Sequence, residues 1–278
     1  MNKVLGAALL VCIGSIGAQF GAVLGTSQFH TFTAPEIAAL RFASAAVVLA
    51  VLFRPNPLAF TRLQWQSSLV FGVAVAGMGF CLQQALFRLP VGIAMTLDFM
   101  GPCFVAVAFA AKPIHRLWGL GAFAGVAMIA GPAGVFDLAG YLWGLGAAVF
   151  YGLYTVYTAR VGGDGAGLRG VAMGVIVASL LTSWFSVPAV ARTWDAAPGA
   201  LGLVALAGLA AVALPFCVDA LAATMSSAPA IGVLFGLDPV FGALFAWAGL
   251  GQALPLTAWL GIALVVLSGG LLAATSRT

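Results

Sequence analysis

The feature that most constrains this chain is its succession of apolar runs of membrane-spanning length. A helix needs roughly 20 apolar residues to cross about 30 Å of hydrocarbon, and ten stretches qualify. They lie at about 4–24, 36–54, 66–87, 90–111, 116–133, 140–160, 168–190, 199–223, 228–249 and 255–274. Only 6% of the 278 residues are charged against 63% hydrophobic, where a soluble domain carries about a quarter charged. Eleven Lys and Arg with seven Asp and Glu cannot clothe a water-soluble surface of this size. An all-α integral membrane protein with ten transmembrane helices is the fold class this predicts. The same shortage of charge, period and cysteine argues against disorder, collagen, a disulfide scaffold and a nucleic-acid partner. The lipid bilayer is the expected partner.

Connections between the runs are short, as in Gly162-Gly-Asp-Gly-Ala-Gly167 and Arg192-Thr-Trp-Asp-Ala-Ala-Pro198. Pro35, Pro90, Pro198, Pro229 and Pro255 stand where a helix start tolerates proline. Positive charge sets the orientation, because short cytoplasmic loops hold the excess of Lys and Arg. With cytoplasmic termini, Lys3, Arg54, Arg62, Lys112, Arg116, Arg160, Arg169 and Arg277 fall inside, while Arg88 and Arg192 fall outside. This predicts that both termini lie in the cytoplasm. The first twenty residues have the charge and apolar stretch of a signal peptide. The run continues through Leu24, however, with Gly17, Gly21 and Gly25 at GxxxG spacing, and an uncleaved first span is expected.

The chain also repeats itself. Around Asp98 it reads Leu-Pro-Val-Gly-Ile-Ala-Met-Thr-Leu-Asp-Phe-Met-Gly-Pro, and around Asp238 Ala-Pro-Ala-Ile-Gly-Val-Leu-Phe-Gly-Leu-Asp-Pro-Val-Phe-Gly. The aspartates lie 140 residues apart, each in the fourth span of a set of five. An odd number of spans per set turns the halves over, which predicts two inverted five-helix repeats, 1–135 and 136–278, with a site near the midplane between them. Asp98 lies roughly 12 Å into its span from one side, and Asp238 roughly 15 Å into its span from the other. Pro102 and Pro239 each remove a backbone hydrogen bond nearby.

Intramembrane ionisable groups cost about 2.5–3.5 kcal/mol each on the insertion scale. Asp98, Asp219, Asp238 and Arg41 therefore need a polar environment. Asp98 and Asp238 are the expected substrate-binding acids, while Asp219 and Arg41 are candidates for an ion pair or for coupling. The alternative is that all four are structural groups between helices. Glu36 suits a helix cap. Gln19, Gln83, Gln84, Phe99, Tyr151 and Tyr154 are the polar and aromatic residues able to complete a binding wall, or else to join helices by hydrogen bonds. Gln83 and Gln84 are adjacent and point in different directions.

Nothing in the chain carries a catalytic signature. Gly165-Ala-Gly-Leu-Arg-Gly170 matches G-x-G-x-x-G by letter, but it follows a helix in a glycine-rich loop. The four cysteines are scattered, His30 and His115 have no metal-ligand spacing, and G-x-S-x-G is absent. No enzyme, cofactor or metal is expected.

Three segments carry a resemblance: Ala39-Leu-Arg-Phe42, the stretch Arg88-Leu-Pro-Val-Gly-Ile-Ala94 running to Leu97-Asp-Phe-Met-Gly-Pro102, and Leu237-Asp-Pro239. The chain resembles the EamA-type transporters of the drug/metabolite transporter superfamily, most of all the threonine/homoserine exporter branch. Its acids at these positions are usually glutamates, and here they are the shorter aspartates. The resemblance implies a ten-helix inverted-repeat fold whose cavity takes in Asp98, Phe99, Gln83, Tyr151 and Asp238. It also implies export of small amino acids and related metabolites by alternating access, the small molecule being the partner. Export of aromatic or cationic toxic compounds is the alternative. A membrane-embedded enzyme for lipid-linked substrates and a simple pore are more distant readings. Oligomeric state stays open, and a monomer is compatible. The orientation predicts that a green fluorescent protein fused to the C-terminus fluoresces, and that alkaline phosphatase fused there is inactive; the opposite pair of results would reverse the topology.

Overall fold

The computed structural model describes residues 3–89, 91–108, 113–130, 137–225, 237–250 and 255–275. Among these residues there is no strand. The helices are α1 (Lys3–Thr26), α2 (Ala34–Phe53), α3 (Arg62–Arg88), α4 (Val91–Ala108), α5 (Pro113–Ala130), α6 (Leu138–Gly163), α7 (Leu168–Leu181), α8 (Ser183–Thr193), α9 (Pro198–Gly208), α10 (Leu214–Met225), α11 (Leu237–Leu250) and α12 (Leu256–Thr275). Pro90, Pro229 and the first part of the ninth apolar run lie outside the described residues.

The helix ends are written locally. Thr33 precedes α2, and its backbone N–H and hydroxyl both donate to Glu36 Oε2, at 2.8 and 3.0 Å. Thr61 and Gln64 form a reciprocal capping box at α3, and Asp137 accepts from the Gly140 N–H at the start of α6. Between such ends the helices are apolar on every side, since one face meets protein and the other meets acyl chains. Val149 and Trp184 are 72% and 79% exposed, so the outer surface is itself hydrophobic. The stretches Gly6–Thr26, Ala34–Phe53, Arg62–Arg88 and Pro198–Met225 are each long and apolar enough to cross a bilayer. The protein is a multi-pass, all-α membrane protein.

Two spans depart from straight helices. The run at 168–190 divides into α7 and α8, which meet at Thr182 with a bend of 72°. There Thr182 Oγ1 donates to the Ala178 carbonyl at 2.9 Å, and Ser183 Oγ donates to the Leu180 carbonyl at 2.8 Å. Such back-bonding by Ser and Thr competes with the helical ladder and bends it. The second departure is a π-helical turn, Leu209–Ala213, joining α9 to α10. Pro215 follows it closely, and proline offers no N–H to the carbonyl four residues back. The wider turn absorbs that loss.

Helix α1 packs along the π turn and α10 and touches α11, while α6 packs along α3 and α4. Helix α2 lies against α7 and α9, α3 against α7, α4 against α11, and α5 against α12. Small residues permit these approaches. A Cβ on Gly17 or Gly21 would fall 2.6 Å from the carbonyl oxygens of Ala210 and Ala207 respectively, so the GxxxG spacing of α1 is a seat for α9 and the π turn. At Gly101 a Cβ would lie 2.0 Å from the Ala148 carbonyl oxygen, which fixes α4 against α6. Overpacking of this kind costs about 1–3 kcal/mol. Gly101→Ala is therefore expected to lower the thermal unfolding temperature in detergent, whereas Gly199→Ala, with nothing within 4 Å, leaves it unchanged.

Candidate functional site

A cavity of about 90 Å³ lies inside the bundle where α1, α2, α3, α4, α6, α10 and α11 converge. One water needs about 10–15 Å³ of such space, so the cavity holds several waters or a small solute. Its wall brings together Gln19, Asp98, Phe99, Tyr151, Tyr154, Asp219 and Asp238, along with Arg41. Helices α4, α10 and α11 thus deliver the three intramembrane acids to one chamber.

Each acid is held differently. Asp238, at the start of the described part of α11, accepts hydrogen bonds from both Ser15 Oγ and Tyr151 Oη, one on each carboxylate oxygen. Gln19 Nε2 donates to the Asp238 backbone carbonyl at 3.2 Å. On α10, Asp219 Oδ2 accepts from Tyr154 Oη at 2.7 Å. Asp98 is 5% exposed, and its Oδ1 has no hydrogen-bond partner. The two tyrosines are three residues apart on α6, hence on one helix face. Thr155 and Thr158 bond back to the carbonyls of Tyr151 and Tyr154 and occupy the same helix. Aromatic packing completes the inner wall: Tyr154 stands 5.4 Å from Phe71 and 5.1 Å from Phe216 between ring centroids.

Two of the expected wall residues lie elsewhere. Gln84 does not reach the chamber; it faces a separate crevice beside Phe29, Glu36, Arg88 and Arg192, and its Oε1 accepts from Arg88 Nη1 at 3.3 Å. Gln83 is buried behind the chamber wall, with neither amide atom hydrogen-bonded. One residue step on a helix turns the side chain by about 100°, so adjacent glutamines cannot share a target. The expected partner for Arg41 is also not found. No ion pair joins it to a carboxylate within 4.0 Å among the described residues, where Glu36 and Arg192 form the one such bridge, at 3.2 Å.

The sequence reading passed over Ser15, Phe42 and Phe216. Ser15 had a signal: it precedes Gln19 by four residues, one helical turn along the same face of α1. Phe42 closes the Ala39-Leu-Arg-Phe42 segment that carries the resemblance, but Phe216 had no signal, because twenty phenylalanines in an apolar chain do not announce which of them line a cavity. Among the described residues no cluster of three His, Cys, Asp or Glu side chains is arranged for a metal ion.

Residues 138–273 match the EamA-like transporter family. The threonine/homoserine exporter RhtA of Escherichia coli strain K12 is 30% identical over 251 residues, covering 88% of this chain and 83% of that protein. The RhtA of Salmonella typhimurium strain LT2 matches with the same identity and coverage. A crystal structure of a protein 20% identical in sequence superposes with a TM-score of 0.71 over 98% of this chain and 99% of its own. That likeness extends to the fold.

Removing a donor from a buried acceptor costs about 1–3 kcal/mol. Tyr154→Phe, which leaves Asp219 Oδ2 without its hydroxyl, is expected to destabilise the protein by about that amount in a denaturant titration. An unchanged midpoint would mean that the bond contributes nothing.

Proposed function

Because the chain belongs to the EamA-like transporter family of the drug/metabolite transporter superfamily, we propose that it exports small amino acids of the threonine and homoserine type, with related metabolites, across a bacterial inner membrane. The observation that carries the reading is an interior chamber whose otherwise largely apolar wall holds three carboxylates and a guanidinium, inside a bundle whose outer face is apolar. An intramembrane ionisable group facing a cavity marks a solute or ion pathway. The chamber's size favours a small solute over the multidrug alternative, since pockets for drug-sized ligands run about 300–1,000 Å³.

Ten spans in two inverted halves, 1–135 and 136–278 with cytoplasmic termini, make alternating access the mechanism. The packing supports this arrangement, because it repeats when the halves are exchanged. The pairing of α1 with α10 has its counterpart in α6 with α3, that of α1 with α11 in α6 with α4, and that of α2 with α9 in α7 with α3. The pairs α2–α7, α4–α11 and α5–α12 each join a helix to its own counterpart. Rocking of one half against the other then opens the chamber to each side in turn. A solute or proton gradient drives the cycle, with Asp98 and Asp238 as the acids that meet the substrate.

The test is counterflow of radiolabelled threonine and homoserine, with a cationic dye for comparison, in proteoliposomes with and without a pH gradient. Saturable amino-acid counterflow without dye transport is expected. Asp98→Asn and Asp238→Asn should each reduce it about 10- to 100-fold, the worth of a charge-assisted hydrogen bond of about 1.5–3 kcal/mol. Dye transport without amino-acid transport would favour the multidrug reading, and unsaturable conductance would favour a pore. If both variants transported every solute as the wild type does, the assignment of the two acids would fail.

A further inference from the structure

Among the described residues Arg41 is the one basic side chain on the chamber wall. It is 9% exposed, its Nε has no hydrogen-bond partner, and among the described residues it forms no ion pair. Three carboxylates share the chamber with it, so the missing bridge is a matter of placement and not of supply. An unpaired buried charge costs several kcal/mol, and a guanidinium kept in that state has room for a partner that arrives from outside. Beside it Gln83, 1% exposed, leaves both its Nε2 and Oε1 unsatisfied. Gln83 Nε2 and Arg41 Nη1 both approach the position where a side chain on Gly25 would begin, at 3.6 and 3.9 Å. Gln83 and Gly25 thus pack against the back of Arg41, whose planar fork suits a carboxylate on the chamber side. On the same chamber wall, Asp98 presents an unpartnered carboxylate oxygen.

We propose that Arg41, backed by the buried Gln83, is the carboxylate subsite of the chamber, and that Asp98 takes the ammonium end of the same solute. The ligand class is a zwitterionic α-amino acid with a free carboxylate. Two orphaned groups of opposite sign in one small cavity are satisfied together by a dipolar molecule, whereas a simple amine would satisfy Asp98 and leave Arg41 unpaired. The inference rests on the amino-acid export reading and deepens it: Arg41 becomes a residue that determines specificity, in place of a partner for a neighbouring acid. Close placement of the fork is built into the fold, because a Cβ on Gly208 would fall 2.4 Å from the Arg41 carbonyl oxygen, so α9 holds this turn of α2 in position.

The experiment compares L-threonine, L-threonine amide and 1-amino-2-propanol, the last two lacking the carboxylate, by counterflow and by ligand-induced thermal stabilisation of the purified full-length protein. Wild type should favour threonine over both analogues by at least about tenfold, the worth of one charge-assisted bond. Arg41→Gln should weaken threonine by about 10- to 100-fold, to the level of the amide, while leaving the amide's half-saturation unchanged. Equal handling of threonine and its amide by the wild type, or equal weakening of both by Arg41→Gln, would overturn the subsite. If Arg41→Gln does not fold, Arg41→Lys serves, since it keeps the positive charge but loses the planar fork that grips a carboxylate. It must weaken threonine more than the amide, and any other result overturns the proposal. A wild type that carries none of the three compounds but does carry the dye would instead end the amino-acid reading itself.

Discussion

A carboxylate cannot face acyl chains cheaply, and everything about the interior of this bundle is arranged around that cost. Placing Asp98, Asp219 and Asp238 in hydrocarbon would cost about 2.5–3.5 kcal/mol each on the insertion scale. The fold turns all three toward one chamber, where hydroxyls and an amide meet two of them. The donors come from α1 and α6, whose glycines let neighbouring backbones approach closely. Burial of charge and close helix approach are therefore one problem: the donors reach the acids only because glycine lets the backbones come near enough.

Helix α1 shows how tightly these requirements are joined. Its glycine spacing seats it on the π turn, and the same helix presents Ser15 and Gln19 to α11. Helix α6 does the equivalent work across the bundle, with Gly152 near α4 and the tyrosine pair facing Asp238 and Asp219. Each tyrosine binds an acid through its hydroxyl while its ring packs on apolar neighbours, so the aromatic cluster carries polar chemistry into an apolar wall. The π turn and the bend at Thr182 sit in two of the helices of the second half. Both are places where side-chain or proline chemistry has displaced ordinary helical bonding.

The candidate site was legible in proportion to how costly each residue is in lipid. Asp98, Asp219 and Asp238 stood out because nothing apolar explains them, and all three reach the chamber. Tyr151, Tyr154 and Gln19 were readable as polar atoms in apolar runs, and they reach it too. Gln83 and Gln84 were equally conspicuous and do not, since helical phase relative to a partner is not written in the identity of a residue. Arg41 was conspicuous as well, yet the expectation that a carboxylate would pair with it did not survive placement. Ser15 cost too little to draw notice, although its position one turn from Gln19 was available.

By itself the sequence determined that this chain lives in lipid, that it is helical, and that a few acids must be hidden, because hydropathy and charge are properties of composition and order. It also determined many helix ends, through Thr33 with Glu36, Thr61 with Gln64, and Asp137. Only the tertiary structure decided which hydroxyl meets which carboxylate, which glutamine is turned away, and that the guanidinium stands apart from the acids. Those outcomes depend on the rotation of each helix about its own axis against its neighbours. That rotation is set by packing between segments as far apart in the chain as Ser15 and Asp238, and no local pattern encodes it.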